Sequence, residues 1–188
     1  MEVNGSDGLE GMLSSFIQPW YDALKEPHKA QAAALSALLE GYSKTGYGKS
    51  HGAEGVETPE EYRRAFPTCD YEGFSPHIAQ VREGDYAALL PEKAVGWVMT
   101  RGTTGKSKVI PVTQTHMDLI FFLGARGIVN HALRKPESGV LGGNVLNLNF
   151  PSRVENIQTG KGEETFGYSS GTYAKFNPKF GSTQLVPK

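Results

Sequence analysis

Cysteine is nearly absent. Cys69 stands alone in 188 residues, so no internal disulfide can form, and nothing near it has zinc-ligand spacing. A large net charge of either sign is also missing. Nineteen Lys and Arg face twenty Asp and Glu, for a formal charge of −1, which leaves no basic field for nucleic acid or a membrane surface. Long apolar runs are lacking as well. The most apolar run, residues 119–123, soon meets Gly124 and Arg126 and falls far short of the roughly 20 residues a bilayer span needs. The opening residues carry no basic-then-apolar leader. With a single cysteine, this pattern leads us to expect a cytoplasmic protein with no nucleic-acid or membrane partner. Repeats and low-complexity tracts are absent. His28, His51, His77, His116 and His131 form no i, i+4 pair that would hold a metal from one helix, and no base is identifiable that would make Cys69 a nucleophile.

What is present is an ordinary globular composition, 38% hydrophobic and 21% charged, long enough for one core. Apolar residues from Leu9 to Leu24 recur at three- and four-residue steps, which predicts an amphipathic helix with Pro19 inside it and Asp7 and Glu10 as a capping box. A second helix is expected from Pro27 to Tyr42. Thr58-Pro59-Glu60-Glu61 reads as a capped helix start, and Ser75-Pro76 repeats the device for a helix that Gly84 closes.

The pattern then changes. Strands are expected over 95–100 and 109–113, with Pro111 marking an edge or a bulge. Thr113 or Thr115 can cap a long helix to Leu133, apolar on most sides of its first half and therefore expected to be buried. Leu146, Leu148 and Phe150 alternate with asparagines as a half-buried strand. After Pro151 irregular hairpins and loops are expected, with Ser169-Ser170-Gly171-Thr172 as a polar turn. The whole reads as a mixed α/β (α+β) fold. Residues 1–188 make one domain, with 1–90 helical and 91–188 holding a loop hairpin, a helix and strands.

The chemistry concentrates in Thr100-Arg101-Gly102-Thr103-Thr104-Gly105-Lys106-Ser107-Lys108, between the two strands. Glycines let successive amides face an anion, the threonines add hydroxyl donors, and Lys106 and Lys108 add charge. Two nucleotide loops compete. A Walker loop needs Gly, four residues, then Gly-Lys-Ser/Thr. Gly105-Lys106-Ser107 supplies the second half, but the first glycine falls on Thr100. The β-branched continuation with Pro111 also cannot be the helix a Walker loop opens. Without a ligand, the stretch would be a glycine-rich hairpin turn.

The stretch resembles instead the phosphate loop of the adenylate-forming superfamily. Thr100, Gly102, Thr103, Thr104, Gly105 and Lys108 match that signature, while Arg101 and Ser107 depart from it. The wider order of motifs is more specific: Tyr47-Gly48-Lys49-Ser50-His51-Gly52, Thr58-Pro59-Glu60-Glu61-Tyr62-Arg63, Phe66-Pro67, Asp70-Tyr71-Glu72, Pro76-His77-Ile78 and Ile110-Pro111-Val112-Thr113. It is similar to the N-terminal part of the auxin-responsive Gretchen Hagen family, acyl acid–amido synthetases, with their prokaryotic relatives.

That resemblance implies part of the mixed sheet of an adenylate-forming large domain, and it implies ATP with Mg2+. It also implies a carboxylic-acid substrate and an amine acceptor. Family members are much longer, so the chain is expected to be an N-terminal portion that is inactive alone and has faces open to self-association. Thr100, Arg101, Gly102, Thr103, Thr104, Gly105, Lys106 and Lys108 would line the nucleotide phosphates. No catalytic side chain and no metal ligand is assigned; magnesium would arrive bridging the phosphates. Arg101 is open to three placements: on phosphate, folded onto a surface carboxylate, or in the space ATP needs. A degenerate, non-catalytic nucleotide- or anion-binding module and an acyl-CoA ligase-like relative stand as alternatives.

Overall fold

The computed structural model describes the backbone of residues 5–102, 107–142, 145–146, 148–176 and 184–185. Helices come first. α1 (Gly5–Lys25) carries Pro19 inside it, and α2 (Pro27–Tyr42) starts on its proline. α1 reaches back past Asp7, so Asp7 and Glu10 both lie inside the helix rather than at its start. A short α3 (Gly46–Ser50) follows, then α4 (Pro59–Ala65). At α4 the Thr58 side chain accepts from the Glu61 N–H while Glu61 reaches back to the Thr58 N–H, the reciprocal box read from the sequence.

α5 (Tyr71–Glu83) corrects the reading at Ser75-Pro76. It begins five residues earlier than Pro76, where the Asp70 carboxylate accepts from the Gly73 N–H at 3.1 Å. Pro76 sits inside the helix and removes one donor to the carbonyl of Glu72, an exposed residue where water can replace it. Gly84 ends α5 at φ +111°, a conformation that favours glycine.

β1 (Ala94–Met99) and β2 (Val109–Thr113) pair antiparallel, and β3 is a two-residue strand at Val145–Leu146. β4 (Glu155–Thr159) and β5 (Gly162–Tyr168) form a regular hairpin in a segment expected to be irregular. The main sheet has the order β2-β1-β5-β4, with β1 and β5 parallel. β2 is an edge strand, which accommodates Pro111. The strand expected through Phe150 ends at Leu146; Asn147 lies outside the described residues, and residues 148–150 are not in a strand. A two-stranded parallel pair joins β3 to β6 (Gln184–Leu185).

β1 is apolar on both faces and is covered on both. Trp97 and Met99 join Val81 of α5 and Phe166 of β5 in one cluster. Val98 turns the other way, to Val112 of β2 and Met117 of α6 (Gln114–Arg134). Tyr173 of α7 (Ser169–Phe176) packs against the same cluster. The sheet is therefore a middle layer between α5 and the pair α6 and α7.

α6 starts where Thr113 Oγ1 accepts from the His116 N–H at 3.2 Å, and α1 packs along it through Tyr21 Oη donating to Asn130 Oδ1 at 2.7 Å. The first half of α6 is not buried as expected. Leu119 and Leu123 are about half exposed, because Met117 and Phe121 take the sheet side and α1 covers only part of what remains.

Candidate functional site

The stretch 100–108 is the connection of a β-hairpin. Its base is closed by two hydrogen bonds: the Thr100 N–H donates to the Lys108 carbonyl at 3.0 Å, and the Lys108 N–H donates to Thr100 Oγ1 at 3.1 Å. The first and last motif residues thus use their backbone groups, and one hydroxyl, to hold the loop shut. β2 begins at Val109 and no helix opens after Lys106, which removes the Walker form. Thr103, Thr104, Gly105 and Lys106 lie outside the described residues.

Among the described residues Arg101 pairs with no carboxylate, so of the placements weighed from the sequence the surface ion pair is not adopted; it lies on an aromatic pair instead. Its guanidinium carbon lies 4.0 Å from the Phe150 ring centre and 6.0 Å from that of Tyr168, over two rings that themselves meet edge-on at 5.5 Å. The quadrupole of the ring face attracts the cation. Gly102, beside it, is exposed. Lys108 is exposed, with its Nζ 5.5 Å from the Tyr71 ring centre. Tyr71 Oη donates to the Val109 carbonyl at 2.9 Å, which ties the start of α5 to the strand leaving the loop.

The sheet brings a second group to this end. Parallel pairing of Met99 with Tyr168 sets the carboxyl ends of β1 and β5 side by side. One strand then enters the 100–108 loop and the other enters α7. The expected polar turn at Ser169 to Thr172 is instead the first half of that helix. Ligands of sheets with parallel strands collect outside the carboxyl ends of those strands, and a helix start there favours an anion.

Residues 150–152 close the site's flank. The Phe150 N–H donates to Ser170 Oγ at 3.1 Å, and the Tyr168 N–H donates to the Pro151 carbonyl at 2.9 Å. They lie so close that a Cβ on Gly167 would meet Pro151 and Ser152, and one on Gly171 would meet the Phe150 carbonyl. Sequence reasoning missed Phe150, Tyr168 and Tyr71 as neighbours of the loop, while Ser170 belonged to the expected polar turn. Only the two glycines carried a signal, since glycine after a strand often marks a close backbone approach.

Two tethers steady the surrounding helices. Glu92 accepts from the Thr115 N–H at 2.9 Å, and that bond chiefly holds its carboxyl below the usual range. His116 Nε2 lies 3.1 Å from Tyr173 Oη, whose phenol burial pushes up. Among the described residues no group of three or more His, Cys, Asp or Glu is placed to hold a metal ion, and no helix is long and apolar enough to cross a membrane.

No curated protein matches the chain significantly. The family model described as the GH3 family N-terminal domain matches residues 17–186. That span takes in α2 to α7, the loop hairpin and all of the flank described above, and the chain belongs to the GH3 family.

Proposed function

We propose that the chain carries the phosphate-binding part of an ATP-dependent ligase that activates a carboxylic acid as its acyl-adenylate and passes the acyl group to an amine. One placement carries this reading: a Gly-Thr-Thr-Gly stretch spans a β-hairpin in a GH3-family chain, beside the carboxyl end of a parallel strand. In the reaction a carboxylate oxygen bonds to the α-phosphorus of ATP, the bond to the β-phosphate oxygen breaks, and pyrophosphate leaves. Charge builds on phosphate oxygens, so donors already aimed at them lower the barrier.

Amides of Gly102 to Gly105 and the hydroxyls of Thr103 and Thr104 would supply those donors. Lys106 and Lys108 would supply charge, and the start of α7 would add its dipole. Thr100 would act through the loop's closure rather than on the nucleotide, because its hydroxyl already accepts from Lys108. The described carboxylates form no metal cluster, so Mg2+ would come with the nucleotide and supply charge to its phosphates. In this reading residues 91–188 face the nucleotide and 1–90 flank them. The free thiol of Cys69 suits a reducing cytoplasm.

A second reading is a nucleotide-binding module without turnover. Arg101 favours it, since the superfamily carries a hydroxyl residue where this chain stacks a guanidinium on Phe150. Calorimetry with ATP and pyrophosphate, paired with exchange of labelled pyrophosphate into ATP across a panel of carboxylic acids, separates the two. Binding by this chain together with acid-dependent exchange by a full-length version is the expected result for the ligase; binding without exchange by the full-length version across the panel favours the module. Absence of both overturns both.

A further inference from the structure

A cavity of about 580 Å³ opens among the end of α2, α3, α4 and the start of α5. Its lining shares no residue with the 100–108 loop or its two strands. Five aromatic rings line it: Tyr42, Tyr47, Tyr62, Phe66 and Phe74. They brace one another, with Tyr47 5.3 Å from Phe74 and 6.1 Å from Phe66, and Phe66 stacked 5.1 Å from Tyr62. An apolar wall of this size, fixed before any ligand arrives, is the usual form of a small-molecule pocket.

The polar side of the cavity is as informative. Arg63 is the charged residue among those lining it, and no carboxylate is among them. Ring faces alone would favour a cation, but a guanidinium in the same lining opposes one and selects an anion. Arg63 does hold Glu60 at 3.2 Å, yet both side chains are about 70% exposed, and so exposed a pair exchanges easily. Burial pushes the Tyr47 phenol upward, with Cys69 nearby as a lesser cause, so Tyr47 keeps its proton at physiological pH.

We propose that this cavity binds a small aromatic carboxylate, its ring among Tyr47, Phe66 and Phe74 and its carboxylate on Arg63. The site would be accessory to the phosphate loop and stands whether or not that loop holds a nucleotide.

Cys69 reports on it directly, since it is exposed, free and in the lining. The probes are 2-naphthoate and its uncharged counterpart 2-naphthamide, each tested for protection of Cys69 against iodoacetamide by intact mass. Naphthoate is expected to protect at concentrations about three- to fivefold lower than the amide, the discrimination an exposed charge pair supports. Arg63→Gln, on an exposed face of α4, should erase that preference, and Glu60→Gln should strengthen naphthoate protection. Equal protection by the two probes, protection by neither at millimolar concentration, or a preference that survives Arg63→Gln overturns the assignment.

Discussion

The guanidinium of Arg101 lies over the ring of Phe150, 4.0 Å from its centre, and so joins the start of the 100–108 loop to the segment that flanks α7. Phe150 is in turn held by Ser170 through its backbone. An exposed cation–π pair is worth about 0.5–1 kcal/mol, and Arg101→Ser should lower stability by that amount in chemical denaturation. Pyrophosphate affinity should move by less than about threefold, well under the 1.4 kcal/mol of a tenfold change. A tenfold loss would instead place the guanidinium on phosphate.

Glycines at the site and on the neighbouring helix should respond with opposite signs. Gly171→Ala drives a Cβ into the Phe150 carbonyl and the Ser152 amide, and overpacking of this kind costs roughly 1–3 kcal/mol. Gly124, inside α6, has nothing within 4 Å of a Cβ, so Gly124→Ala should stabilise by roughly 0.5–1 kcal/mol through helix propensity. Urea midpoints measure both. Loss at Gly124 or neutrality at Gly171 would contradict the packing described.

These contrasts show which parts of the molecule a sequence reveals. The Thr58–Glu61 box and the Gly84 stop are local devices, fixed by residues three or four apart, and both were legible. Ser75-Pro76 imitates such a device, but Asp70 caps first and the helix tolerates the proline. The β4–β5 hairpin escaped because β4 has a single apolar residue, Ile157, and so no alternation to read. Its placement is non-local: the Gly160 N–H donates to the Arg82 carbonyl at 2.8 Å, against the end of α5. The loop was legible as a motif between strands. Its neighbours Phe150 and Tyr168 were not, because parallel pairing of β1 with β5 brings them there.

Thr45 is fully buried, with its hydroxyl donating to the Tyr42 carbonyl and accepting from the Gly48 N–H, each at 2.9 Å. Thr45→Val preserves shape and strands the buried Gly48 donor, a loss of about 1–3 kcal/mol. Thr45→Ser keeps both bonds and should cost less. Equal losses for the two would assign the residue a packing role alone.

Glu92 gives the start of α6 a pH-dependent tether. The Thr115 N–H, bonded at 2.9 Å, is the main reason its carboxyl titrates lower than an ordinary glutamate. A pKa lowered by folding contributes stability that is complete above the unfolded value of about 4.3 and is lost as pH falls through the lower folded value. Wild type should therefore be more stable than Glu92→Gln at neutral pH. The gap should close as the solution is acidified below that range. Asp22 and Glu61 are also held low, so both proteins will lose stability in acid, and the difference between them isolates Glu92. Thermal melts from neutral pH into the acid range measure it. A gap that stays constant with pH would mean that the protonated acid of Glu92 accepts from Thr115 as well as its carboxylate does, and that the tether is a plain hydrogen bond rather than a charged one.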